Sequence, residues 1–403
     1  MKRSLLQVVG SIQCLILNTA FKMAASPELL TVPGTYEQSA TIKTVEYGVG
    51  SLSKLPEILG SLDVKKPFIL TGHSIRTKTP LIQNVLSILE RDDLEVFSGI
   101  RQHAPIADIR NALAAFKESG SDGILAIGGG SPIDSGKLIT SLLFESSPKK
   151  TPMVMVPTTL SVAETTPSAG VTNEQGQKVG TTKPDISGDA IIYDGAVLRY
   201  TPLKLALSSG MRAVDHAIET LYADNIPELP YKPLALSALQ YLTEYLPKLK
   251  DDPENAEIAQ ILMNAGFLSL FPRYMMTGAV GLSHSLGHGL GAAYGIPHGI
   301  TSCVTLAPVV HFKAEHDPLA AKQLLRILPF LGIVPNPKAD DSKNAHAVGD
   351  AIAKLVDTLG LTTRLTEYNV PYTDAEKLAL HGLGGDKNSP LLSYAIELVQ
   401  SLY

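Results

Sequence analysis

Four histidines in two glycine-bearing segments are the residues of this chain most suited to chemistry. His284, His288 and His298 stand in GLSHSLGHGLGAAYGIPHG (Gly281–Gly299), which holds no Asp, Glu, Lys or Arg, and His216 stands in GMRAVDHAIE (Gly210–Glu219). His284 and His288 are spaced i, i+4, so on a helix they share one face. His298 follows a glycine-rich turn closed by Pro297. Two helices and a loop can bring such imidazoles to one point, either as ligands of a divalent metal or as proton carriers near neutral pH. A single histidine on an apolar face is ordinarily a core residue, but four in two such segments argue for a functional site.

A second constellation is ILAIGGGSPIDSGK (Ile124–Lys137), an apolar run, three glycines and a helix start. Ser131 is expected as the N-cap, Pro132 at the first helical position and Asp134 as the acid of a capping box. Gly129 and Gly130 let the backbone approach a ligand, and the free N–H groups of a helix start suit a pyrophosphate. The plainer alternative is a glycine turn closing a βα unit, which needs fewer glycines. The loop VPTTLSVAETTPSAGVT (Val156–Thr172) offers Thr158, Thr159 and Ser161 as donors to a ribose or nicotinamide amide, although alone it reads as a solvated loop. GVG at Gly48–Gly50 reads as a turn.

The elements that must position these residues fall into two regions. Between about Val45 and Asp194, PFILTG (67–72), GILAIGGG (123–130), MVMVPTT (153–159) and AIIYDG (190–195) are short apolar runs, with amphipathic stretches such as Ile106–Ser119 between them. That alternation predicts an α/β domain with a mainly parallel sheet, whose ligands bind beyond the carboxyl ends of the strands. After about Thr201 the periodicity turns helical over Leu203–Ala223, Pro233–Leu249, Ala256–Leu270 and Asp350–Leu359. The expected organisation is an N-terminal extension over 1–40, an α/β dinucleotide-binding domain over 41–200 and an all-helical domain over 201–403.

A chain of 403 residues exceeds one ordinary core, and 44% hydrophobic with 18% charged residues is the make-up of a compact enzyme. A net charge of −5 argues against nucleic acid as a partner. Cys14 and Cys303 alone give neither a disulfide framework nor a thiolate metal cluster, which fits a reducing compartment such as the cytoplasm. The basic start, MKRSLLQVVGSIQCLILNTAFKMAAS, is either a targeting segment, mitochondrial for instance, or an extension upstream of Met23. Ser11, Gln13 and Asn18 interrupt its apolar stretch, so no membrane span is expected.

Taken together, GGGSPIDSGK, PTT followed by AETT, GMRAVDHAIE and the His284-x3-His288-x9-His298 pattern ending in GIPHG resemble the iron-containing (group III) alcohol dehydrogenase family. The resemblance covers the chain from about Val45 onward. SGIRQHAP (Ser98–Pro105), TTPSAGVT and GLSHSLGHGLG are most similar to its maleylacetate reductase branch. It implies a dehydroquinate synthase-like fold with catalysis in the cleft between an α/β and a helical domain, a homodimer, and NADH or NADPH as cofactor. Gly129, Gly130 and Ser131 would hold the pyrophosphate, and Thr158, Thr159 and Lys178 would contact the ribose and nicotinamide side. His288 would lie near the nicotinamide and substrate. In metal-bearing members an Asp and three His would hold iron or zinc, at the positions of Arg212, His216, His284 and His298.

Arg212 is the departure. Its guanidinium has only donors and a permanent charge, so it cannot ligate a cation. Asp215 lies about 100° round the helix from His216, poorly placed to substitute. The maleylacetate reductase branch also departs from the Asp and is regarded as working without metal. The expectation is therefore hydride delivery to a small keto- or ene-carboxylate, with Arg212 supplying positive potential and a bidentate anchor for the substrate carboxylate. A metal-dependent alcohol dehydrogenase using His216, His284 and His298, and a non-catalytic nucleotide-binding relative, stay as alternatives. At the second strand's end, ILTGHSIRT carries Gly72 and Arg76 and no acid, which leaves room for the 2′-phosphate of NADPH.

Overall fold

The computed structural model describes residues 34–37, 42–147, 149–183, 186–224, 226, 231–270 and 281–403. The expectations for the targeting segment and for Met23 lie outside these residues. Seven strands form one sheet: β1 (Gly34–Glu37), β2 (Thr44–Tyr47), β3 (Pro67–Gly72), β4 (Val96–Ile100), β5 (Gly123–Gly128), β6 (Met153–Pro157) and β9 (Ala190–Tyr193), in the order β1-β2-β9-β6-β5-β3-β4. All neighbours pair in parallel except β1, which runs antiparallel on β2 at one edge. Residues 34–37, expected in the extension, thus belong to the sheet. β7 (Ser168–Thr172) and β8 (Lys178–Thr182) form a separate antiparallel hairpin.

The central strands are apolar on both faces because helices cover both. Ile124 to Ile127 on β5 and Met153 to Val156 on β6 are all buried. Beyond Tyr193 the described chain is helical. The helices that matter for the site are α1 (Gly130–Ser146), α2 (Leu203–Tyr222), α3 (Leu282–Tyr294), α4 (His298–His316) and α5 (Asp341–Thr358). The fold is thus an α/β domain followed by a helical domain. The helix expected over Asp350–Leu359 starts nine residues earlier, at Asp341, where the Asp340 carboxylate accepts from the Lys343 N–H at 2.8 Å as an N-cap. Its first two turns carry Lys343, Asn344 and His346, whose polarity conceals the helical period in the sequence. Among the described residues no helix is long and apolar enough to cross a membrane.

Because the six strands are parallel, the ends of β3, β5, β6 and β9 all open on one edge of the sheet. α2 begins immediately past Thr201, whose hydroxyl donates to the Thr158 carbonyl oxygen at 2.6 Å and so ties the helical part to the end of β6. The Ser209 hydroxyl, in the second turn of α2, accepts from the Leu160 N–H at 2.9 Å.

Candidate active site

The glycine loop leaves β5 and enters α1 one residue earlier than expected. Gly129 is the N-cap and Gly130 the first helical residue, with no side chain capping the helix. Ser131 is therefore inside the first turn, and its Oγ accepts from the His103 N–H at 3.1 Å. Asp134 likewise forms no capping box; its Oδ2 accepts from the Gly170 N–H at 3.0 Å, tying α1 to β7. The early start depends on Gly128, whose φ of +144° is closed to most side chains and whose absent Cβ would lie 2.9 Å from Pro132 Cγ. Pro132 still falls in the first turn, where a missing N–H breaks no helical hydrogen bond.

Beside the loop, Thr159 and Ser161 share a 3.0 Å hydrogen bond, and a Cβ at Gly129 would lie 3.0 Å from the Thr159 methyl. The free N–H groups at Gly129–Ser131 and these two hydroxyls fit a pyrophosphate and its ribose. Thr158 differs: it is buried, and its hydroxyl lies 3.2 Å from Thr201 Oγ1. Lys178 lies on β8 opposite Thr172.

A different lysine braces the loop. Lys137 on α1 is fully buried and donates to the Ala163 and Ser168 carbonyl oxygens at 2.5 and 2.8 Å. Burial lowers its pKa, while Asp134 and Glu164 oppose that shift. Glu164 is fully buried too, accepts from the Tyr193 hydroxyl at 2.6 Å, and is pushed up to about 7 by burial. The sequence signal for this brace was the Asp134/Lys137 spacing of i, i+3 and the Glu inside AETT. That spacing alone does not announce burial, because charges in a βα unit ordinarily face water.

Facing the loop, the four histidines form a row. Ring centroids of His216 and His284 are 5.1 Å apart, those of His284 and His288 4.8 Å, and those of His288 and His298 5.5 Å. His103 extends the row, edge-on to His298 at 6.3 Å. It sits with Ala104 in two consecutive left-handed residues, φ +67° and +49°. That strained pair turns the loop after β4 toward Ser131 and the row. Within the row His216 is buried, His284 and His298 are half-buried, and His288 is exposed. The Glu219 carboxylate caps α3 by accepting from the Gly281 and His284 N–H groups at 3.1 and 3.2 Å, which fixes the helix that carries His284 and His288.

Arg212 occupies the buried end. Its Nη2 donates to His284 Nε2 at 2.6 Å, and its Nη1 donates to Ser302 Oγ at 3.2 Å and lies 3.4 Å from Asp215 Oδ2. Arginine only donates, so His284 accepts at Nε2 and carries its proton on Nδ1, a neutral ring. The Asp215 carboxylate accepts from Ser302 at 2.6 Å and Ser283 at 3.0 Å. Asp215 is therefore the counter-ion of Arg212 and not a member of the histidine row. Arg212 is only 5% exposed and its fork is occupied, so the expected bidentate grip on a substrate carboxylate is corrected to an internal role.

These donors do not suit a divalent cation. A guanidinium sits where an acidic ligand would be needed, donates into the nitrogen His284 would use, and adds a positive charge beside the ion. Among the described residues, no three His, Cys, Asp or Glu side chains converge as a ligand set.

Residues 43–195 match the model for iron-containing alcohol dehydrogenase, and residues 206–394 match that for the C-terminal part of the same family. A maleylacetate reductase from Cupriavidus pinatubonensis is 30% identical over 311 residues, 75% of this chain and 82% of the relative. The chain belongs to the iron-containing alcohol dehydrogenase family. As a member, it is an NAD(P)-dependent oxidoreductase. Another relative is the dehydrogenase FUM7 of Gibberella moniliformis, 27% identical over 83% of this chain and 89% of its own length. Among solved structures, maleylacetate reductase from a Rhizobium strain superposes with a TM-score of 0.75 at 22% identity, covering 92% of this chain and 98% of the other. A 1,3-propanediol oxidoreductase does so with a TM-score of 0.80 at 21% identity, covering 92% and 100%.

Proposed function

We propose that this family member reduces a keto- or ene-carboxylate, as the relatives named maleylacetate reductase suggest, with a buried cation in place of a metal. The observation that carries the reading is the 2.6 Å contact between Arg212 and His284. Reduced nicotinamide, when bound, would supply the hydride. Gly129, Gly130 and Ser131 bind its pyrophosphate, with Thr159 and Ser161 orienting the ribose. His288, the exposed ring of the row, gives a proton to the oxygen or carbon that becomes negative. Arg212 stands one imidazole behind His288. There it offers positive potential from a site that water does not screen, while Asp215, Ser283 and Ser302 hold it in place.

NADPH is the favoured cofactor. β3 ends at Gly72, and the first turn of the short helix after it, His73–Lys78, holds no acid to repel a 2′-phosphate. Arg76 and Lys78 in its last turn add positive charge.

The test is a panel of keto- and ene-carboxylates, with the corresponding uncharged ketones and primary alcohols, scored by reduced-nicotinamide absorbance. Turnover of the carboxylates, unchanged by chelator, is expected. Turnover confined to alcohols and aldehydes, or a stoichiometric active-site metal whose removal abolishes turnover, would refute the reading.

A further inference from the structure

A second group of histidines lies on α4 and α5, away from the row. His298 opens α4, and His311 is about 20 Å further along the helix axis at 1.5 Å per residue. His311 and Glu315 are spaced i, i+4 on α4, and His346 and Asp350 are spaced i, i+4 on α5. The two pairs are cross-connected. His311 Nε2 lies 3.4 Å from Asp350 Oδ1 on the other helix, and His346 Nε2 lies 3.3 Å from Glu315 Oε1. Their Nδ1 atoms face each other at 2.6 Å.

This arrangement has a chemical consequence. A carboxylate at ion-pair distance from Nε2 favours a proton on that nitrogen, which turns the Nδ1 lone pair toward the other ring. Two lone pairs pointed at each other repel unless something positive lies between them, a shared proton as in a 2.6 Å hydrogen bond or a metal ion in its place. A metal-bound imidazole ordinarily has its outer N–H held by a carboxylate, and each ring here has one within ion-pair distance of its outer nitrogen. The backbone makes room for it as well. Gly349 stands within the 18-residue α5, where glycine is a poorer helix former than alanine. A Cβ there would lie 2.5 Å from His311 Nε2.

We propose that His311 and His346 bind one divalent transition-metal ion of the imidazole-preferring class, Zn2+ being the simplest, through their Nδ1 atoms. Water completes the coordination, and Asp350 and Glu315 hold the outer nitrogens. A tetrahedral ion at about 2.05 Å from each nitrogen needs them about 3.3 Å apart, so the rings must open by about 0.7 Å. Both side chains are about one-third exposed, at 32% and 28%, which leaves space for that rotation. His316 is the neighbouring competitor for Glu315, at 3.7 Å from its Oε2, but its ring packs, tilted by 30°, against Tyr394 with centroids 4.3 Å apart. The bound ion would clamp α5 to α4, the helix whose first residue is His298.

The test is calorimetric titration of the chelator-treated full-length protein with Zn2+, with Mg2+ as control. One Zn2+ per chain is expected, with a rise in unfolding temperature and unchanged reductase turnover. His311→Gln and His346→Gln should each weaken binding more than about tenfold and abolish the thermal shift. Gly349→Ala should weaken it by pushing the His311 ring aside, and His284→Gln should leave it intact. No uptake above the Mg2+ control, as a proton shared by the two rings would give, overturns the proposal. So does undiminished binding in folded His311→Gln, or binding that disappears with His284→Gln.

Discussion

Arg212→Ala is the decisive perturbation of the proposed site. The 2.6 Å contact to His284 and the 4.8 Å separation of the His284 and His288 rings put the guanidinium roughly 7 Å from the group that faces substrate. At an effective dielectric of about 20, one charge acting over that distance is worth about 2.4 kcal/mol, so kcat should fall about 50-fold. KM should change less, because the negative charge that Arg212 senses is largest in the transition state. The same substitution leaves the buried Asp215 without its cation, a change that costs about 3 to 5 kcal/mol in general. Since Ser283 and Ser302 still donate to that carboxylate, the lower end is expected here. Asp215→Asn separates the two effects. The double variant Arg212→Ala/Asp215→Asn should recover most of the stability and turn over faster than Arg212→Ala, because a lone negative charge no longer opposes the reaction. Initial rates of reduced-nicotinamide consumption, beside thermal unfolding of all four proteins, give the cycle. A folded Arg212→Ala protein within about twofold of wild-type kcat would refute the electrostatic argument. A double variant as slow as the single one would refute it too, since geometry and not charge would then be at fault.

The other predictions are narrower. His288→Asn should lower kcat by about 10²- to 10⁴-fold and leave cofactor affinity unchanged, checked by single-turnover rates and by cofactor fluorescence on binding. Gly72→Asp should shift kcat/KM from NADPH toward NADH; the nearest atom to a Cβ there is the Ile100 oxygen at 3.8 Å, so the side chain fits without displacing the strand. Glu164, raised by burial from an ordinary 4.5 to about 7, binds more protons in the native than in the unfolded protein between those values. Stability should therefore fall as pH rises from 4.5 to 7 and level off above it, with about 3 kcal/mol at stake. Glu164→Gln should remove that slope, and an unfolding-temperature difference between the two proteins that is constant across the window would contradict the assignment.

Local pattern made much of the fold legible. The buried runs at 67–72, 123–128, 153–157 and 190–193 became strands as expected, and Leu203–Tyr222 and Ala256–Leu270 became helices. Each is encoded by residues within a few positions of one another, so period and punctuation suffice. The start of α5 was hidden by its polar first turns. The cap of α1 was misplaced because three glycines allowed the chain to turn before Ser131, a freedom that composition does not order.

By itself the sequence determined the family, the glycine loop, the i, i+4 pair His284/His288 and the presence of Arg212 four residues before His216. What Arg212 does there was decided only by the tertiary structure. Its partners Asp215, His284 and Ser302 lie on α2, α3 and α4, and the way those helices pack chooses among donors that local spacing leaves equivalent. The same holds for Thr158, which turns to Thr201 instead of the cleft, and for Lys137 and Glu164, whose burial no local pattern announces. A charge in this interior is stable only with a counter-charge or a set of carbonyls around it, and those come from distant parts of the chain.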